Sequence, residues 1–149
     1  MEAATDLDRL RAELMADEGA VKAGSRHVVY KDHLLNPTIG YGRLLSRGLS
    51  QDEAEYLLAN DIKDVLAGLD RRIPWWRGMP EPAMRGLANL AFQLGLEGTL
   101  AFKTMLGHME RGDMEKAATT ALNSLWARQT PARAKRVAAM IRGNIRAGA

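Results

Sequence analysis

The chain has no cysteine in its 149 residues, which excludes disulfide staples and thiolate zinc sites and leaves the redox compartment open. No apolar run approaches the roughly 20 residues that cross a bilayer, so no stable membrane anchor is expected. The opening Met-Glu-Ala-Ala-Thr-Asp-Leu-Asp is acidic and lacks an apolar h-region, so no signal peptide is evident. His27, His33 and His108 lack metal-ligand spacing, and neither a metal nor an organic cofactor is implied. There are no repeats or low-complexity segments, and no nucleic-acid module has left its fingerprint.

What is present is the composition of one globular domain: 46% hydrophobic residues, 26% charged. At this length folding buries about 68–70% of the chain's surface without a staple. The net charge of +3 is polarised. Glu2, Asp6, Asp8, Glu13, Asp17 and Glu18 crowd the start. After Glu115 there is no acid, yet Lys116, Arg128, Arg133, Lys135, Arg136, Arg142 and Arg146 follow. Such a field attracts an anionic polymer, but charge alone does not choose between nucleic acid, cell wall and membrane surface.

Leu7, Leu10 and Leu14 predict a first helix with Thr5 as N-cap, ending near Gly19. His27 to Tyr30 reads as a strand, Asn36-Pro37 as a turn, and Thr38 to Gly42 as a second strand. Ser50-Gln-Asp-Glu53 is a capping box opening a long helix that stops before Pro74, with Ala54, Leu57, Leu58, Ile62, Val65, Leu66 and Leu69 on one stripe. Further helices are expected from Glu81 to Leu94, around Leu100–Leu106, and from Asp113 to Leu125. A last one has Thr130 as N-cap, Pro131 at N1 and Val137, Ile141 and Ile145 buried. The expected fold is α+β, mostly α. One domain, 1–149, would have an N-terminal lobe near residues 15–60, a linking helix near 50–72, and a helical lobe of 73–149 plus 1–14, with a ligand cleft between lobes.

Glu18 falls where a helix ends, Asp32 at the end of the first strand, and Thr38 across the turn. Two carboxylates and a hydroxyl at a helix–hairpin junction suit glycoside hydrolysis: one carboxyl protonates the leaving oxygen, the other orients water. By spacing alone, ordinary solvated surface groups explain the same residues.

Asp17-Glu-Gly19, Tyr30-Lys-Asp32 and Thr38-Ile-Gly-Tyr-Gly42 resemble the phage-type lysozymes of glycoside hydrolase family 24, which include those of the T-even phages. So do Leu44-Leu45, Asp52-Glu-Ala-Glu55, Asn60-Asp61, Asn89-Leu-Ala-Phe-Gln93, Trp126 and Gln129 to Arg136, in order along nearly the whole chain. The resemblance implies a lysozyme-like fold and an endolysin that cleaves the glycan strands of peptidoglycan. Glu18 is similar to the general acid, Asp32 to the carboxylate holding the attacking water, and Thr38 to the hydroxyl beside it. It further implies that Arg133 approaches Glu18, that Asp17 pairs with Arg136, and that Leu44, Phe92 and Gln93 touch the sugar chain. A monomer acting on a thin wall is implied, held in the host cytoplasm until a holin releases it to the periplasm.

The chain departs from the family pattern in three places. Thirteen residues separate Glu18 from Asp32 where the family usually has eight; the five extra are expected to enlarge the Ala23-Gly24-Ser25 loop before Val28 and leave the strand register intact. Asn36-Pro37 stands in for the family's glycine turn. Arg43 replaces a histidine and is expected to pair with Asp61. Trp75 and Trp76 are expected to pack rather than to stack on sugar. Gly40 and Gly42 are explained by a sugar's close approach or by strand geometry. The competing readings are a nucleic-acid binder gripping through the Arg-rich third, and a wall binder that has lost catalysis.

Overall fold

The computed structural model describes residues 2–144, and side chains from residue 6. Ile145 and Arg146 lie outside the described residues. The chain divides into two compact units, Met1–Ala54 and Glu55–Ala149. The architecture is α+β and mostly helical, and among the described residues every strand lies in the first unit.

In the first unit, helix α1 runs Glu2–Glu18. It begins upstream of Thr5, which therefore does not cap it. It ends before Gly19, whose φ of +64° takes the chain left-handed, as the sequence predicts. The Leu7, Leu10 and Leu14 stripe is exposed.

The segment expected to hold the five extra residues, around Ala23-Gly24-Ser25, forms a small ribbon. Strands β1 (Lys22–Ala23) and β2 (Arg26–His27) pair antiparallel, Ala23 opposite Arg26. Gly24-Ser25 is thus a two-residue loop, with Gly24 at the positive φ (+62°) that hairpin turns of this length require. The expected strand from His27 to Tyr30 is therefore broken. Its second half belongs to another sheet of β3 (Tyr30–Lys31), β4 (Pro37–Ile39) and β5 (Arg43–Leu44), ordered β3-β4-β5 and antiparallel.

Two turns differ from expectation. Pro37 lies in β4, and the left-handed residue of the β3–β4 turn is Leu35 (φ +65°), not Asn36. Leu35 N–H donates to the Asp32 carbonyl and Asp32 N–H to the Asn36 carbonyl, closing a three-residue loop whose last position is left-handed. Gly40-Tyr41-Gly42 is a turn and not strand: both glycines have positive φ, and Ile39 pairs with Arg43 across it. After a 3₁₀ turn at Leu45–Arg47, the predicted capping box forms. Ser50 N–H donates to Glu53 Oε1 (2.9 Å), and Glu53 N–H to Ser50 Oγ (3.2 Å). It opens α2, Gln51–Arg72.

The second unit holds a hydrophobic core. Its elements are most of α2, a 3₁₀ turn at Trp76–Gly78, α3 (Glu81–Leu100), α4 (Lys103–Glu110), α5 (Met114–Leu122), α6 (Leu125–Gln129) and α7 (Pro131–Arg142). Gly95, with φ +77° and ψ 170°, interrupts α3 where the sequence predicts an end. Leu69, Leu87, Leu90, Met105, Met109, Val137 and Ile141 are fully buried, and Ala117, Ala118, Ala121, Ala134 and Ala138 let helices approach closely. Asp113 Oδ1 caps α5 by accepting from Lys116 N–H (3.1 Å). Thr130 precedes Pro131 as expected, but its hydroxyl donates backwards to the Trp126 carbonyl (2.9 Å) and caps nothing. Trp76 is buried and donates its indole N–H to Asp70 Oδ1, while Arg77 stacks over the ring. Trp76 is therefore a packing residue, and Trp75 packs beside the same core.

Candidate active site

The three candidate catalytic residues, Glu18, Asp32 and Thr38, fall within the first unit. Glu18 is the last residue of α1 and is exposed. Its carboxyl lies against the backbone of Gly42: a Cβ built on Gly42 would stand 2.9 Å from Glu18 Oε2 and 3.3 Å from Cδ. The α1 terminus and the β4–β5 turn therefore meet at this carboxyl. Within the protein, the group that approaches Gly42 closely is the Glu18 carboxyl.

Asp32 Oδ1 accepts two backbone N–H groups, from Leu34 (2.9 Å) and Asn36 (2.9 Å). These donors, Asn36 foremost, hold its carboxyl below the usual range, so it is ionised at neutral pH. Thr38 is buried, sits opposite Tyr30 and Leu44 in its sheet, and donates its hydroxyl to the Asn36 carbonyl (2.8 Å). Asn36 thereby joins the two: its N–H binds the Asp32 carboxylate and its C=O receives the Thr38 hydroxyl. The sequence reading missed this coupling, although an Asx residue before proline is a turn signal. A hydroxyl whose proton is committed can only accept from a further partner.

Arg43 pairs with Glu53 and also donates to the Gly48 carbonyl (3.3 Å). The Asp61 partner expected from sequence is replaced. Glu53 is fixed at the start of α2 by the capping box, whereas Asp61 lies eight residues further along, about 12 Å of helix rise. Arg43 and the Ser50 donors hold the Glu53 carboxyl down at about 2.

In the second unit, Arg133 donates Nε to Asn89 Oδ1 (2.9 Å) and a terminal N–H to the Asn89 carbonyl (3.3 Å). Arg133, Asn89 and Phe92 line an apolar concavity of about 490 Å³ with Leu58, Ile62, Leu66 and Met140. The Gln93 amide oxygen accepts from the Trp126 indole (2.9 Å), so that oxygen has a structural partner. Leu44 and Phe92 keep partly exposed side chains. Asp17 and Arg136 belong to different units. Among the described residues there is no group of three or more metal-ligating side chains, and no helix is long and apolar enough to cross a membrane.

The fold is α+β and mostly helical, and its first unit carries a helix-end glutamate on a glycine turn together with an ionised aspartate and a buried threonine in one hairpin. The model of the phage lysozyme family matches residues 21–143, and the chain belongs to that family of lysozyme-type glycoside hydrolases. It is 31% identical over 147 residues to the pre-baseplate central spike protein Gp5 of Enterobacteria phage T4, covering 79% of this chain and 26% of that protein. It is 25% identical over 144 residues to the probable T4-type lysozyme 2 of Dictyostelium discoideum, covering 76% of this chain and 85% of that one. The chain thus spans about a quarter of the spike protein's length and most of the second relative's. Glu18 precedes the segment matched by the family model by three residues.

Proposed function

We propose that the chain hydrolyses the β-1,4 bond between N-acetylmuramic acid and N-acetylglucosamine in peptidoglycan. Glu18 donates its proton to the glycosidic oxygen as the bond to C1 breaks. Asp32 takes a proton from the water that attacks C1 from the opposite face. The water is proposed to sit on the Asp32 carboxylate, whose Oδ1 already accepts two backbone N–H groups and which the Asn36 side chain also hydrogen-bonds. Thr38, with its proton committed to Asn36, accepts the water's other hydrogen. A water held by two acceptors turns a lone pair towards the sugar.

With a water held between Asp32 and Thr38, Asp32 acts as base rather than as nucleophile, and the proposed outcome is inversion, with the two carboxyls separated by roughly 6.5–9.5 Å in the working site. Leu44, Phe92 and Gln93 are proposed to contact the glycan. Arg133 is proposed to approach Glu18 while braced by Asn89, and Asp17 to pair with Arg136. The proposed working form is a monomer of one domain with two lobes.

The observation that carries the reading is the seat of Glu18 on Gly42, in the same unit as the Asp32–Asn36–Thr38 network. The test is turbidity loss of outer-membrane-permeabilised cells. Glu18→Gln keeps shape and polarity but cannot donate an acidic proton, so lysis is expected to fall by about 10²–10⁴-fold with the fold intact. Near-normal lysis by this variant would remove Glu18 as the acid.

The physiological setting we infer is an endolysin released to the wall through a holin. The likeness to a baseplate spike protein favours a second setting, a lysozyme carried by the virion. Recovery of the chain from purified particles would select the second; its presence only in the host lysate would select the first.

A further inference from the structure

Gly42 differs from the other turn glycines of the first unit in what surrounds it. Gly19, Gly24, Gly40 and Gly48 share its positive φ, yet a Cβ on any of them would meet nothing within 4 Å. On Gly42, at φ +81°, a Cβ would meet Oε2, Cδ and Cγ of Glu18 at 2.9, 3.3 and 3.7 Å. Positive φ explains a glycine at each of these positions; it does not explain why one of them is the floor under a carboxyl. The turn is also braced from outside its own sheet, because the Tyr41 ring meets the His27 ring edge-on at 5.1 Å. His27 belongs to β2, so the small ribbon leans on the residue just before Gly42.

We propose that Gly42 is a positioning residue for the candidate acid: its missing side chain is the space in which the Glu18 carboxyl sits. This rests on Glu18 being the acid. The atoms a methyl group would meet are the far end of an exposed side chain, so the Glu18 carboxyl is what yields. The carboxyl must swing away, and a displacement on the order of 1 Å costs about 10²-fold in rate.

The test compares Gly42→Ala with Gly24→Ala. Both carry the left-handed strain, but only the first pushes on Glu18. Gly42→Ala is expected to lower kcat for wall lysis by about 10²-fold with KM nearly unchanged, while Gly24→Ala keeps kcat within a few-fold. Urea unfolding of Gly42→Ala in wild-type and Glu18→Ala backgrounds then reads the contact without using activity. The shift in unfolding midpoint is expected to shrink once the carboxyl is gone. If Gly42→Ala alone does not fold, folding of the Gly42→Ala/Glu18→Ala double variant supports the proposal, and failure of both to fold overturns it. Equal kcat for the two alanine variants, or an unfolding shift that ignores residue 18, also overturns it. Should Glu18→Gln retain lysis, the acid assignment falls and the positioning role falls with it, whereas the unfolding cycle still reports whether the two residues touch.

Discussion

The first unit and the second are held together by different physics. Among the described residues of the first, Thr38 alone is buried; every apolar core residue lies in the second. The first unit keeps its shape with turns, caps and charge-assisted hydrogen bonds: the two amides on Asp32, the Ser50–Glu53 box, the Arg43–Glu53 pair. The second keeps its shape by excluding water from Leu, Met, Ile and Ala side chains. All three candidate catalytic groups sit on the unit without a core. Polar constraints fix direction as well as distance, and a carboxylate that must aim at one water needs direction. An apolar core supplies free energy but orients nothing at the surface.

The contrast can be broken first where the effect is largest. Leu90 is fully buried in α3, and Leu90→Ala is expected to cost about 2–5 kcal/mol, from lost transfer energy plus the cavity left behind. Urea unfolding measures it, and the lysis rate per folded molecule should stay close to that of wild type. A loss below about 1 kcal/mol would mean that the second unit is not where stability resides.

The next effect is smaller and depends on pH. The Glu53 carboxyl is held at about 2 in the folded chain against an ordinary 4.5, so its folded value is depressed. Its stabilisation is present above pH 4.5 and is lost as pH falls towards 2. Wild type should therefore be more stable than Glu53→Gln at pH 7, and the gap should close between about pH 5 and pH 2. A gap that is constant across that range would show that the Arg43 pairing adds nothing and that the neutral half of the capping box suffices.

The same division explains what the sequence disclosed. Most helices were legible from signals at their ends: the Ser50–Glu53 box, the stop at Gly19, the Gly95 break, Pro131 at N1. The helix expected from Asp113 to Leu125 instead stops at Leu122, and Ser124 caps a separate α6 by accepting from Ala127 N–H. The family pattern singles out Glu18, Asp32 and Thr38 as candidates, but the local geometry around them was not legible. Strands of two or three residues are too short to show a period of two, so Thr38 to Gly42 read as one strand when it is a strand end and a turn. The Gly24-Ser25 hairpin read as a loop because only its pairing partners identify it. Arg43 was assigned to Asp61 by analogy, although Glu53 was already fixed by its own cap. Leu35 carried no turn signal whatever, since leucine is among the residues least suited to a left-handed position.

Leu35 therefore offers the finest test of how the first unit is built. With φ at +65° and the residue 73% exposed, it bears the steric cost of a Cβ against the next carbonyl and gains little burial in return. That cost is about 1–2 kcal/mol, while glycine restores roughly 0.5–1 kcal/mol of chain entropy to the unfolded state. Leu35→Gly is thus expected to stabilise the chain by about 0.5–1 kcal/mol. The hairpin's own bonds should tighten too, because Asp32 and Asn36 close around this residue. Urea unfolding reads the first effect, and slower hydrogen exchange at the Asn36 amide reads the second. If the hairpin is held by backbone geometry alone, both move together and lysis is unchanged. A destabilised variant with a faster-exchanging Asn36 would show instead that the Leu35 side chain secures the turn, and the first unit would have an apolar anchor outside its hydrogen-bond network.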